Sequence, residues 1–325
     1  MVRVAVVGVG GIGNVHINNI ALIDIAKVVA LCDFSESAKE KAKELCVPLY
    51  ADIGKMLQNE KIDVVCICTP TFLHANHIEM VLEKGVNVIS EKPLVLSKKD
   101  AVRLIDLAKQ KNARLFVAHV IRFWNEYALL RDIVKDNRYG KPLDGQFLRL
   151  SACPKWVKGG WLFDKQKSGL IPFDLHIHDL DFIISLFGKP KNYTFTSTGN
   201  KDKNYKEHYR FRYDYEDMTI SAEAAWFNAD FPFTMSFRVY FERAVVEYDG
   251  DKMMAYSLDA EPRQLNEKEN IVVETGINVP STGAYYNELL HFLTCVNEDK
   301  DSDLFKEHQI IDVIEILEKI NEQIV

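Results

Sequence analysis

The chain has 325 residues, with 40 Lys and Arg against 47 Asp and Glu for a formal net charge of −7, and is 47% hydrophobic and 27% charged. That is enough apolar material for one large domain or two ordinary ones, and it excludes disorder as the main state. The mild acidity lacks the positive field that nucleic acid or an anionic membrane attracts, and no apolar run approaches the ~18 residues that cross a bilayer.

Short β-branched runs and longer helical patterns alternate over the first 120 residues. Val2–Val7, Val28–Cys32, Val64–Cys68, Val86–Ile89 and Leu115–Ala118 read as strands, with helices around Ile12–Leu22, Ser35–Leu45, Leu73–Glu83 and Lys98–Lys111. Strands that are apolar throughout suggest a parallel sheet buried on both faces, and the intervening helices imply right-handed crossovers. The first apolar stretch runs directly into glycines and is too short for a secretory signal. Six cysteines are too sparse for a disulfide scaffold, and Cys66 and Cys68 sit in an apolar run as buried strand thiols. A cytoplasmic protein is the expectation.

After residue 120 the texture changes. Gln146–Cys153, Tyr193–Ser197, His208–Tyr215, Met218–Phe227, Thr234–Phe241 and Ala244–Tyr248 follow one another with short turns. Tyr209, Phe211 and Tyr213 alternate with Arg210, Arg212 and Asp214, the period-two mark of a strand with one wetter face. Helices are expected at about Tyr285–Val296 and Leu304–Gln323. The fold class is therefore α/β: a doubly wound parallel sheet in residues 1–120, then an α+β domain in 121–325 with a large, mostly antiparallel open sheet. An open sheet with an apolar face needs a cover, so a homodimer or homotetramer is expected.

Gly8-Val9-Gly10-Gly11-Ile12-Gly13 fits G-x-G-x-x-G between an apolar strand and a helix. Gly8 allows the tight turn, Gly10 the approach of a pyrophosphate, and Gly13 close packing of helix on strand. Asp33 ends the second strand 20 residues after Gly13, the spacing for a carboxylate on the adenosine ribose. It would repel a 2′-phosphate, and no Arg follows it, so NAD is favoured over NADP. Asp33 as a simple helix cap is the rival reading.

Glu91-Lys92-Pro93 follows the strand Val86–Ile89, and Thr69-Pro70-Thr71 the strand Val64–Cys68, both at the carboxyl edge where open α/β sheets bind ligands. An ordinary surface lysine is the bland alternative for Lys92. Further on, Asp174, His178, Asp181 and Ser185 fall within a stripe of about 60° on an α-helix, whereas His176 points about 200° from His178. That separation argues against a His-x-His metal pair and makes His176 a core residue; no metal is expected.

In this order the motifs resemble those of the glucose-fructose oxidoreductase, inositol dehydrogenase and MocA family. The matching residues are Gly8–Gly13 with His16, Asp33, Cys68-Thr69-Pro70 with His74, Glu91-Lys92-Pro93-Leu94, and Gly169 followed by Asp174 and His178. One departure is Ser168-Gly169 where the family has paired glycines. The resemblance implies a Rossmann first domain and a catalytic or substrate-binding Lys92. It also implies His178 as general acid/base and Asp174 as its assistant or a substrate ligand. Gly8, Gly10, Gly11, Ile12, Gly13, Asp33, Thr69, Pro70, His74, Glu91 and Lys92 are the candidate cofactor contacts. Lys92, Arg122, Lys155, Trp161, Asp174 and His178 are the candidate substrate contacts, with Trp156 beside them.

The expected activity is hydride transfer between a nicotinamide cofactor and a secondary hydroxyl of a sugar, sugar derivative or inositol. A glycosidase that oxidises its sugar transiently could use the same groups. A dinucleotide-sensing regulator would keep the glycines and Asp33 without needing Lys92, Asp174 and His178 together.

Overall fold

The structure is a computed structural model that describes residues 1–155, 157–267, 271–277 and 279–324. In chain order the regular elements are β1 (Val2–Val7), α1 (Gly11–Ile20), β2 (Ala26–Cys32), α2 (Glu36–Leu45), β3 (Leu49–Tyr50), α3 (Ile53–Asn59), β4 (Val64–Ile67), α4 (Thr71–Leu82), β5 (Asn87–Glu91), α5 (Lys98–Gln110) and β6 (Leu115–Ala118). They continue with α6 (Asn125–Lys135), β7 (Pro142–Ala152), α7 (Lys165–Ser168), α8 (Ile177–Phe187), β8 (Asn192–Thr198), β9 (His208–Asp214), β10 (Thr219–Phe227), β11 (Thr234–Phe241), β12 (Ala244–Tyr248), β13 (Met253–Ser257), β14 (Arg263–Gln264), α9 (Ala284–Asn297) and α10 (Glu307–Gln323). By compactness the chain divides into one unit of residues 1–123 and 271–314 and another of the remaining described residues.

In the first unit six parallel strands lie in the order β3-β2-β1-β4-β5-β6. Order 3-2-1-4-5-6 is the doubly wound arrangement, with its switch point between β1 and β4. The reason is visible in the strands: Val4–Val7 and Val64–Ile67 are buried at every position, so both faces must be covered by helices. α2 starts at Ser35, whose hydroxyl accepts the Ala38 N–H, and α5 at Ser97, which accepts the Asp100 N–H. Late in the chain α9 returns to this unit and packs on α1, with the Phe292 ring stacked on Phe116 of β6 at 4.7 Å.

The second unit is built on an eight-stranded sheet in the order β14-β13-β12-β11-β7-β10-β9-β8. β7 and β10 pair in parallel and all its other neighbours are antiparallel. β9 and β11 alternate buried and exposed residues, as the period-two pattern requires. The buried face carries Phe147, Tyr209, Phe211, Tyr213 and Phe237, and α8 lies against it through Phe182, 6.3 Å from Phe147 and 4.8 Å from Tyr127 of α6.

The sequence reading missed α3, α6 and the short strands β3, β13 and β14. It took the Asp174 segment for an α-helix throughout. Instead Pro172–His176 forms a π-helical turn before α8. Two left-handed residues, Gly169 at φ 72° and Leu170 at φ 60°, deliver the chain to that turn, and Pro172 contributes no N–H to it. A Cβ on Gly169 would lie 2.3 Å from the Phe173 ring, so the position admits only glycine. No helix among the described residues is long and apolar enough to cross a membrane.

Candidate functional site

In the first unit the glycine turn is shaped by close backbone contact. Gly8 has φ 88°, and a Cβ on it would meet the Cys68 carbonyl oxygen at 2.7 Å. On Gly13 it would meet the Gly8 oxygen at 2.0 Å, so α1 can lie this close to β1 only with glycine there. A Cβ on Gly10 would meet nothing within 4 Å. Gly10 and Gly11 are exposed and Ile12 half-buried, so the turn opens its N–H groups to solvent at the positive end of α1.

Asp33 closes the same turn. Its Oδ2 accepts the Val9 N–H and its Oδ1 the Ser35 N–H, both at 2.7 Å. Burial pushes this carboxyl up, but the backbone N–H groups of Val9 and Ser35 outweigh it and hold the pKa below the usual value. Asp33 is therefore an anion at neutral pH, half-buried at the carboxyl end of β2. An open cradle for a diphosphate next to a fixed carboxylate is what a dinucleotide requires, and these residues fit one.

Lys92 follows β5 and is joined to Pro93 by a cis peptide bond. From Val88 to Val95 every residue is buried except Lys92. Glu91 turns inward: its Oε1 accepts from His16 Nε2 at 2.8 Å and its Oε2 from the Lys92 N–H at 3.2 Å. Burial pushes the Glu91 carboxyl up, while His16 and the Lys92 charge bring it below the ordinary value. Thr69 and Pro70 are half-buried at the end of β4, with the Thr69 hydroxyl 3.1 Å from His77 Nδ1.

Two residues expected to face ligands are occupied elsewhere. His74 is 1% exposed, and its ring nitrogens lie 2.8 Å from the carbonyl oxygens of Pro93 and Thr69. An imidazole enclosed this way has no free edge for a cofactor. Arg122 is 3% exposed; its guanidinium donates to the Leu304 carbonyl and to Gln309 Oε1 at 3.3 Å, and lies 4.4 Å from the Phe305 ring centre. It anchors the segment before α10.

In the second unit, from Ser168 to Ile184, every residue is buried except Asp174 and His178. The segment is braced on both sides of this pair. Ser168 Oγ donates to the Leu162 carbonyl at 2.6 Å and accepts the Leu170 N–H at 2.9 Å. This is the position where the family pattern has a second glycine. His176 is fully buried, stacked 3.7 Å from the Phe211 ring, with its Nε2 hydrogen-bonded to the Tyr213 hydroxyl at 2.5 Å. Burial, helped by the Arg149 charge, pulls the His176 pKa down to about 3, so it is neutral and structural.

The sequence reading overlooked the pair that holds α8 to the sheet. Arg149 on β7 donates twice to Asp179, at 2.9 Å each, and once to Tyr127 Oη at 3.2 Å. Burial opposes the Arg149 charge, but Asp179 drives its pKa still higher, so the pair is an ion pair inside the core. The signal was available: Arg149 is in phase with inward-facing Phe147, where a charge needs a partner. Lys155 is exposed and Trp161 half-buried, while Trp156 lies outside the described residues. Among the described residues no group of three His, Cys, Asp or Glu could hold a metal ion.

Residues 2–119 match the model of an oxidoreductase family with an NAD-binding Rossmann fold, and residues 127–247 match the GFO/IDH/MocA C-terminal domain. The chain belongs to the Gfo/Idh/MocA family. A myo-inositol 2-dehydrogenase of Thermotoga maritima is 29% identical over 58% of this chain and 55% of its own. A 2,7-anhydro-N-acetylneuraminate hydratase of Escherichia coli is 26% identical over 58% of this chain and 50% of its own. The chain thus spans about half the length of these curated relatives. A levoglucosan dehydrogenase in complex with NADH and levoglucosan has the same fold, with a TM-score of 0.85 at 18% identity over 99% of this chain and 96% of its own.

Proposed function

We propose that this protein is an NAD-dependent dehydrogenase that oxidises a secondary hydroxyl of a sugar, a sugar derivative or an inositol. The observation that carries the reading is selective access. Lys92 in one segment, and Asp174 with His178 in another, are the residues there that are not buried. A lysine, an imidazole and a carboxylate, half-buried in otherwise buried segments, are the groups that alcohol oxidation needs.

When bound, the nicotinamide ring supplies the hydride acceptor, and the protein supplies orientation and a base. The glycine turn, Asp33, Thr69 and Pro70 hold the cofactor. His178 takes the hydroxyl proton, an imidazole being able to accept a proton and return it. Lys92 donates a hydrogen bond to the oxygen as it becomes an alkoxide. Asp174 orients His178 or holds a neighbouring hydroxyl, and Lys155 and Trp161 line the sugar. NAD is preferred because an anionic Asp33 repels a 2′-phosphate. The protein works in the cytoplasm, as a dimer or tetramer.

A panel of sugars, sugar acids, anhydro sugars and inositols with NAD and NADP, followed by NADH absorbance, tests the reading. Anhydro sugars are included because one relative is a hydratase, a chemistry that leaves no net NADH and so needs product analysis. Lys92→Met should lower turnover on the best substrate about 10²- to 10⁴-fold with NADH affinity near wild type. Full turnover in that variant would remove Lys92 from the mechanism.

A further inference from the structure

Lys92 stands between two buried histidines that come from different helices. From α1, His16 is fully buried and donates through Nε2 to Glu91 at 2.8 Å, and Glu91 in turn accepts the Lys92 backbone N–H. From α4, His74 sets its two ring nitrogens 2.8 Å from the Pro93 and Thr69 carbonyl oxygens, and since burial pulls its pKa down the neutral ring has one N–H to give to the pair. The residue before the lysine and the residue after it thus each lie against an imidazole. One helix begins in the glycine turn and the other at Thr69-Pro70.

Neither imidazole is placed to serve a ligand. His16 Nδ1 is buried without a hydrogen-bond partner, so the bonding capacity of the ring goes to Glu91 alone. Burying a polar ring is costly, and an aliphatic residue would fill the same volume with no unpaired nitrogen. What the histidines add over an aliphatic side chain is a directed bond to the backbone or side chain flanking Lys92. A lysine carries its charge on a flexible four-carbon stem, so its placement depends on how firmly its root is held. A displacement of about 1 Å at a reacting group is enough to lose about two orders of magnitude in rate.

We propose that His16, through Glu91, and His74, through Pro93, are positioning residues that fix the root of Lys92 relative to the glycine turn and Thr69-Pro70. This rests on the reading of Lys92 as a reacting group.

The test is a double-mutant cycle on the full chain, using the most active substrate of the panel and NADH as the binding probe. His16→Leu removes the bond to Glu91, whereas His16→Gln keeps an N–H donor where Nε2 stands. His16→Leu should lower kcat about 10- to 100-fold with the NADH dissociation constant changed less than about threefold, and His16→Gln should recover most of the loss. In the Lys92→Met background His16→Leu should cost nothing more, because its effect runs through the lysine. If His16→Leu does not fold, Glu91→Met, which keeps the length of the side chain and removes the oxygens that accept from His16 and from the Lys92 N–H, takes its place in the same cycle. Equal losses in both backgrounds, or NADH affinity falling in step with kcat, would overturn the proposal. Wild-type turnover by Lys92→Met alone would overturn the lysine reading itself, and that shows in the single variant before any histidine is changed.

Discussion

Two glycines of one turn should respond in opposite ways to the same added methyl group. At Gly13 a Cβ lies 2.0 Å from the Gly8 carbonyl oxygen, against the ~3.3 Å of a close carbon–oxygen contact, so α1 and β1 must separate by more than about 1 Å. Both partners are backbone, and neither can rotate away. Gly13→Ala is therefore expected to cost about 3 kcal/mol, the upper range for overpacking, even though alanine favours the helix. At Gly10 the new methyl meets nothing within 4 Å and the backbone, at φ −79°, suits alanine. Gly10→Ala should unfold at the wild-type temperature or slightly above, because it restricts the unfolded chain. Its effect should fall on the cofactor instead: losing one or two charge-assisted bonds to the diphosphate, worth about 2–4 kcal/mol together, weakens NADH about 30- to 1000-fold. Thermal melts and NADH fluorescence titrations on the two variants decide the matter. Wild-type NADH affinity in Gly10→Ala would refute the close approach of a diphosphate, and an unchanged melt in Gly13→Ala would refute the packing argument.

Three further expectations follow from individual contacts. Asp179→Ala leaves the Arg149 guanidinium buried at 3% side-chain exposure without its bidentate partner, which should destabilise the protein by about 3–5 kcal/mol. Replacing both residues, Arg149→Met with Asp179→Leu, should recover most of that in urea unfolding, and a single-variant loss below about 1 kcal/mol would show that the pair does not bind α8 to the sheet. His176 stays neutral in the fold with a pKa of about 3, whereas the unfolded imidazole titrates near 6.5. Below about pH 6.5 the unfolded state alone takes up the proton, so stability falls with pH, by about 2–3 kcal/mol between pH 7 and pH 4.5. His176→Gln, which can still hydrogen-bond to Tyr213, should flatten that limb, and an unchanged pH dependence would assign it to other groups. Asp33→Ser should narrow the preference for NAD over NADP by removing an anion beside the 2′ position, measured as the ratio of kcat/KM for the two cofactors; an unchanged ratio would deny Asp33 that role.

The first unit was legible where burial on both faces leaves only one kind of residue. Val4–Val7 and Val64–Ile67 read as buried parallel strands and are central ones, and the glycine turn between β1 and α1 is shaped by backbone contact. β3 and α3 escaped because their strength is not in their own pattern. Leu49–Tyr50 is held by pairing with β2, and Ile53–Asn59 is a seven-residue helix that starts because the Asp52 side chain accepts the Lys55 N–H. Across β7 the hydrophobic pattern runs against the burial: Leu148 and Leu150 are half-exposed while Arg149 and Ser151 are buried. The inward phase could be found from Phe147, but the ion pair waiting there depends on a helix 30 residues away.

The Asp174 segment marks where periodicity stops being informative. A count of 100° per residue assumes an unbroken α-helix, and from that count His176 was set apart from Asp174 and His178. The burial agrees, but the geometry that produces it does not, because the segment opens with a π turn that advances each residue by less than an α-helix does. What keeps His176 inside is a set of contacts invisible to local counting: Tyr213 and Phe211 on β9 grip the ring from the sheet. The left-handed pair Gly169–Leu170 and the Ser168 hydroxyl fix the entry to the turn, and Arg149 fixes the helix beyond it through Asp179. Asp174 and His178 therefore reach solvent because everything around them is tied down by long-range contacts, and a substitution at His176, Ser168 or Asp179 should disturb their placement without touching either one.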